Sequence, residues 1–127
     1  MEPEDIKYEK FWCEEDIKIG DVISLVPISN TVTRSKNKLR EKDEMIIGIC
    51  SKVDRKYVYV KMKGIIDVNV TGIVCIGDKL SSSDIPGLAK TIKYERIEEK
   101  TFNIASIGKV IGLYKTYDKV KVLLDIE

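Results

Sequence analysis

The chain has 127 residues, with 22 Lys and Arg against 21 Asp and Glu, and it contains no His. A chain of this length fits one domain that buries roughly two thirds of its unfolded surface around a core. The near balance of charge excludes a global field that would draw the protein onto nucleic acid or an anionic membrane, so partners must be sought in local patches.

The three cysteines, Cys13, Cys50 and Cys75, form an odd set without a Cys-x-x-Cys pair, and the N-terminus lacks the apolar run of a signal peptide. These features predict synthesis in the reducing cytoplasm. Cys50 and Cys75 lie in apolar runs, which predicts buried thiols that act as small hydrophobes. Cys13 is the candidate for partial exposure. No apolar segment reaches the length of a membrane span.

The first sixteen residues form an acidic lead, and the β domain is predicted from residue 17 to residue 127. The apolar residues of the lead fit neither helical nor strand spacing, so a short helix and a docked strap both remain open. Trp12 is expected to be a core or interface anchor. The acidic residues of the lead are Glu2, Glu4, Asp5, Glu9, Glu14, Glu15 and Asp16.

From Ile17 onward the pattern indicates β structure. Gly20 and Asp21 predict a turn before an alternating strand over residues 22–26. A basic segment then places cations on alternate positions, at Arg34, Lys36, Lys38, Arg40 and Lys42. An extended basic edge of this kind could contact phosphates. A solvated loop or edge strand is favoured, because no aromatic residues interleave and Asp43 and Glu44 follow.

The apolar run over residues 45–50 predicts a buried strand, and a polar turn separates it from a second strand over residues 57–63. Tyr57 and Tyr59 share one face of that second strand. Two uses of the pair remain open: cross-strand packing, which is favoured, and an interaction patch. An alternating strand over residues 66–70 follows.

The most turn-rich stretch runs from residue 68 to residue 87. It contains a Gly77-Asp78 turn, a polar corner that ends at Asp84, and a Pro86-Gly87 reversal. Turn Asp residues usually accept hydrogen bonds from their own backbone, so Asp21 and Asp78 are predicted to be structural and not metal ligands. Ser81, Ser82 and Ser83 have no activating base nearby and predict a corner. Strands are predicted over residues 88–91, 102–113 and 120–126.

A weak internal repeat supports the β interpretation. Residues 17–23 are similar to residues 74–80, residues 46–49 to residues 110–113, and residues 57–60 to residues 119–122. The order is the same in both halves of the chain. An all-β fold is therefore predicted, a small barrel or sandwich made of two related halves.

The motifs in this order also resemble a known group of domains. They are residues 20–23, 47–49, 60–70, 107–111 and 120–124 and, above all, Ile76-Gly-Asp-Lys-Leu-Ser-Ser-Ser-Asp-Ile-Pro-Gly-Leu-Ala89. Residues 20–127 are similar to the small β domain at the C-terminal ends of phage tail-fibre and appendage proteins, including the intramolecular chaperone family called peptidase G2. The resemblance implies a homo-oligomer, with a trimer favoured, that assembles or caps a fibre and contacts other phage or prophage structural proteins. No autocleavage residue can be carried over.

The residues and the resemblance together predict a non-catalytic structural or assembly domain. There is no His for acid–base catalysis, no Gly-x-Ser-x-Gly elbow and no phosphate-binding glycine loop before a helix. No cofactor, metal ion or membrane contact is expected. The alternative hypothesis is a monomeric cytosolic β-barrel binding module that contacts nucleic acid through residues 34–42.

Overall fold

The structure, a computed structural model, describes residues 8–13, 16–26, 31–34, 45–92 and 106–126. These residues form two five-stranded antiparallel sheets, and no helix occurs among them, which confirms the predicted all-β fold. Neither sheet closes into a barrel, so the sandwich of two halves is the correct form of that prediction. The strands are β1 Tyr8–Trp12, β2 Val22–Val26, β3 Thr31–Arg34, β4 Met45–Asp54, β5 Tyr57–Lys61, β6 Gly64–Asn69, β7 Lys79–Ser82, β8 Ala89–Thr91, β9 Gly108–Leu113 and β10 Lys119–Leu124.

The first sheet has the order β1-β5-β4-β2-β3 and belongs entirely to the first half of the chain, residues 8–61. Its edge strand β1 comes from the predicted lead, with Phe11 opposite Val58 and Trp12 opposite Tyr57. The sheet therefore begins before the predicted start of the β domain at residue 17. The strand could not be predicted from the spacing of its apolar residues, because its five residues do not alternate in polarity. Pairing with β5 places them in the sheet.

The second sheet has the order β6-β10-β9-β7-β8 and belongs to the second half of the chain, residues 64–126. Strand by strand, it repeats the first sheet. Ile23 lies opposite Gly48 and Arg34, and Leu80, 57 positions after Ile23, lies opposite Gly108 and Thr91 in the same two directions. The two halves are therefore one fold used twice.

The two halves also build their cores from equivalent positions. In the first half, Cys13, Ile23, Cys50, Val58 and Val60 are buried in one cluster. The equivalent residues of the second half, Val70, Leu80, Val110, Val120 and Val122, are buried in another. Every equivalent pair is apolar or contains a thiol, so the two halves bury small hydrophobic groups at the same positions.

One part of the predicted repeat has the wrong register. Residues 46–49 were matched to residues 110–113, but the strand pairing aligns Gly48 with Gly108. A Cβ on Gly48 would collide with the carbonyl oxygen of Lys61, and a Cβ on Gly108 would collide with that of Leu123. The shared need for glycine arises from the neighbouring strand, and the local sequence does not show it.

The cysteine assignments are also partly wrong. Cys13 and Cys50 are buried, whereas Cys75 is exposed. Cys13 occupies the core position of Val70 in the other half, which explains its burial. Cys75 precedes the Gly77 turn at the position of the exposed Lys18. Its apolar neighbours Ile73 and Ile76 misled the prediction because they are themselves exposed.

Candidate functional site

The two Gly-Asp turns have the same hydrogen bonds. The Asp21 Oδ2 atom accepts a bond from the Lys18 amide at 2.9 Å, and the Asp78 Oδ2 atom accepts one from the Cys75 amide at 2.9 Å. Gly20 and Gly77 have φ values of 95° and 94°, a region that strongly favours glycine. The Gly20 amide donates to Cys50 O in β4, and the Gly77 amide donates to Val110 O in β9, each at 2.8 Å. Both carboxylates therefore hold a turn.

The first of these turns is also where the two halves meet. The Asn69 amide donates to Gly20 O at 2.9 Å, and its side-chain Nδ2 donates to Ile19 O at 2.9 Å and to Asp21 Oδ1 at 3.1 Å. From the Pro86-Gly87 reversal, Gly87 O accepts a bond from the Val22 amide at 2.8 Å. Predicted turn residues from both halves are thus brought into one contact.

Apolar packing completes this junction. Val22 and Ile49 lie opposite each other on β2 and β4, and both are fully buried. They belong to the core cluster of the second half and not to that of the first. We call Gly20, Asp21, Val22 and Ile49 the contact face, since the first half uses it to receive the second.

The second half has an equivalent surface, whose glycine and two lysines are exposed while its aspartate is buried. Gly77, Asp78, Lys79 and Lys109 occupy the positions of the contact face, and we call them the lysine face. Lys79 and Lys109 lie opposite each other on β7 and β9, and both are exposed. A Cβ on Gly20 would lie 2.7 Å from the Asn69 side chain, whereas a Cβ on Gly77 would have no heavy atom within 4 Å.

The Ser81 to Asp84 corner is structural. The Ser83 hydroxyl donates to Leu88 O at 2.7 Å and accepts a bond from the Ile85 amide at 3.1 Å. Ser81, Ser82 and Ser83 are all buried, and Asp84 is exposed. The corner positions Gly87 against the Asp21 carboxylate, where a Cβ would come within 2.8 Å.

The aromatic residues that were proposed as an interaction patch lie together on the first half. The rings of Trp12 and Tyr57 are in edge-to-face contact, with centroids 5.3 Å apart. The Lys10 ammonium lies 4.4 Å from the Tyr57 ring centroid, and the Lys52 ammonium lies 5.3 Å from that of Tyr59. Trp12 and Tyr57 remain partly exposed, so the structure contains cross-strand packing and an accessible aromatic surface at once.

A small apolar cavity lies in the second half, beside the connection between β9 and β10. Its volume is about 190 Å³. The connection between β9 and β10 is three residues longer than that between β4 and β5, and it forms one wall. The Tyr114 hydroxyl donates to Asp67 Oδ1 at 2.5 Å, and this bond raises the pKa of the phenol. The lining residues are Val70, Gly72, Ile73, Val74, Leu113, Tyr114, Thr116, Tyr117 and Val120.

The predicted phosphate-contacting segment is largely outside the described residues. Arg34 ends β3 and is half-buried, while Lys36, Lys38, Arg40 and Lys42 lie beyond the described ranges. Within those ranges no cluster of His, Cys, Asp or Glu could hold a metal ion. The same residues include no helix long and apolar enough to cross a membrane.

Sequence reasoning found the turns but missed the residues that join the halves. Asn69, Val22 and Ile49 were each assigned only to a strand. The repeat carried a signal for Val22, because it aligns with Lys79 and the two positions must face different surroundings. It carried none for Ile49, which the predicted register matched to Leu113 and not to Lys109. Comparison of the chain with protein-family models, curated proteins and solved structures found no match.

Proposed function

We propose that this chain is a non-catalytic assembly module that acts by self-association, in the manner of the domains that end phage or prophage tail fibres. One observation carries the proposal: the contact between the two halves joins unlike surfaces. The first half contributes the contact face, and the second contributes the end of β6 with Gly87. The counterparts of these surfaces, the lysine face of the second half and the end of β1 in the first, differ from them in sequence and are exposed.

Exposed apolar surface supports the same proposal. On the second half, Leu123 lies opposite Ile65, and both side chains are about half exposed. Ile73 and Tyr117, beside the apolar cavity, are 79% and 89% exposed. Exposed apolar groups of this size are typical of protein interaction surfaces. A trimer is the favoured assembly, and other fibre proteins are the favoured further partners.

The test is the solution mass of the purified chain, measured by light scattering after size exclusion between micromolar and near-millimolar concentration. Self-association predicts a mass that is a multiple of 14.5 kDa and that increases with concentration. A mass of one chain at every concentration, at low and at physiological salt, would reject the proposal. Nucleic-acid binding through residues 34–42 stays a prediction, and salt-sensitive oligonucleotide binding that requires Lys36, Lys38 and Arg40 would establish it.

A further inference from the structure

The apolar cavity beside the connection between β9 and β10 marks a difference between the two halves. Ile17 and Val74 hold equivalent positions, because each stands three residues before the glycine of a Gly-Asp turn. Ile17 is buried in the core of the first half, whereas Val74 is half-buried and lines the cavity. The second half therefore leaves incompletely covered a core position that the first half closes.

The cavity has a buried floor and an exposed rim. Val70 and Val120 are buried and form the floor, while Ile73 and Tyr117 are exposed and stand at the rim. A water molecule on a mostly apolar floor finds few of the polar partners that it needs, so a non-polar group displaces it at a gain. The floor therefore suits an apolar group that enters from solvent.

The volume of the cavity limits the size of that group. It is about 190 Å³. Apolar cavities of roughly 150 Å³ bind benzene, whereas sites for drug-sized ligands have volumes of roughly 300–1,000 Å³. The cavity therefore accommodates one six-membered ring with a small substituent.

Two tyrosines in the lining favour an aromatic ring. Tyr114 is held by its hydroxyl, which donates to Asp67 Oδ1 at 2.5 Å, and the Lys119 ammonium lies 5.8 Å from the centroid of its ring. A ligand loses little affinity to the ordering of a wall that is already fixed. Aromatic rings also attract one another in edge-to-face and offset contacts, which adds to the burial of apolar surface.

The lining also determines the charge of the ligand. None of the described residues that line the cavity is an acid or a base with a full charge at neutral pH. A charged ligand would lose its hydration there without gaining an ionic partner, which is costly. We propose that the cavity binds a free, neutral, monocyclic aromatic compound.

This site goes beyond the assembly function, because a single copy of the chain contains all of it. An aromatic side chain of a partner protein would offer the same ring. However, Lys115, Asp118 and Lys119 are exposed on the connection that forms the wall, and charged groups are depleted from the dry centres of protein interfaces. A free compound contacts the interior alone and leaves those charges in water.

A titration with toluene, followed by NMR of the methyl groups, tests the site. The methyl resonances of Val70, Val74 and Val120 should shift and saturate, with a dissociation constant on the order of 1 mM or tighter. Those of Val58 and Val60, in the core of the first half, should not move. Absence of saturation up to the solubility of toluene would overturn the proposal. Equal shifts in both cores would also overturn it, because toluene would then enter the protein without a defined site.

Val74→Phe and Val53→Phe form a matched pair of variants. V74F places a ring in the cavity and should weaken the binding of toluene at least about tenfold. V53F makes the same change at an exposed position outside the lining, so its dissociation constant should stay within about twofold of wild type. Equal affinities of the two folded variants for toluene would contradict the assignment of the cavity.

The first half supplies a further variant that leaves the valines of the floor in place. The Val70 and Cys13 amides donate to the last residues of the two equivalent connections, at Asp118 O and Lys56 O. The two-residue turn of the first half can therefore replace residues 114–118. This replacement removes both tyrosines of the lining and should abolish saturable binding. Retention of toluene binding in the folded variant would count against the site.

The chemistry of the ligand and the mass of the protein give the remaining outcomes. Methylcyclohexane matches toluene in size but has no aromatic ring, so it should bind at least about threefold more weakly. Equal affinity for methylcyclohexane, or tighter binding of benzoate, would overturn the assigned class of ligand. A solution mass that stays constant while toluene saturates the site supports a free ligand. An oligomer that dissociates as toluene binds would overturn that assignment and give the cavity to a side chain of a second copy.

Discussion

At the scale of single residues, the three thiols differ in environment. Cys75 is exposed, whereas Cys13 and Cys50 are buried in the core of the first half. A thiol-specific chromogenic reagent at pH 8 should therefore label one thiol per native chain rapidly, and all three after denaturation. C75S should abolish the rapid phase and C13S should leave it intact. Rapid labelling of two thiols in the native protein would contradict this assignment.

Cys50 links the core to pH. Burial raises the pKa of its thiol from 9.0 to about 11, and the nearby Asp21 carboxylate acts in the same direction. Above pH 9 the unfolded chain releases this proton while the native chain retains it, so the free energy of unfolding falls between about pH 9 and pH 11. Below pH 9 the contribution of the thiol is fully present.

Cys50→Val tests this effect. Valine is a suitable replacement because Val110 is buried at the equivalent position of the second half. Denaturant unfolding of wild type and C50V should give a constant difference in free energy below pH 8. Above pH 9 the difference should shift in favour of C50V, because the variant has no thiol to ionise. Parallel pH profiles across the whole range would show that Cys50 does not titrate as stated.

At the scale of elements, the two Gly-Asp turns form a natural matched pair. G77A should lower the free energy of unfolding by about 1–2 kcal/mol, because alanine has a Cβ and is strained at positive φ. G20A carries the same strain and also displaces Asn69, whose side chain makes two hydrogen bonds across the junction, so a further 1–2 kcal/mol or so is expected. Denaturant unfolding in dilute solution measures both values. Equal losses would mean that Asn69 moves aside without cost.

The elements also show how far sequence reasoning reaches in this protein. Strands and turns could be predicted because Gly20, Asp21, Gly77 and Asp78 act through local hydrogen bonds and φ preference. The alignment of Gly48 with Gly108 could not, because each is fixed by the carbonyl of a strand distant in sequence. The burial of Cys13 could not be predicted for the same reason. Cys13 directly follows β1, whose neighbour β5 is distant in sequence.

At the scale of the whole molecule, the two halves depend on each other unequally. The core of the first half consists of its own residues, whereas the core of the second half includes Val22 and Ile49 from the first. The two halves have the same fold, but the contact face and the lysine face differ in sequence, so the two halves do not contribute equally to each other's cores. The equivalent positions in the second half are the exposed Lys79 and Lys109, so only the first half contributes these two side chains to the core of the other half.

Val22→Lys tests this directional dependence, with Lys79→Val at the equivalent exposed position as the control. V22K places an ammonium group where the second half requires an apolar side chain, and a loss of at least about 3 kcal/mol is expected. K79V should stay within about 0.5 kcal/mol of wild type in dilute solution, because Lys79 is exposed. Amide hydrogen exchange should locate the damage: protection at Val68, Val110 and Val120 should fall in V22K more than protection at Val58 and Val60. Equal loss in both halves would instead show that the two sheets unfold as one cooperative unit.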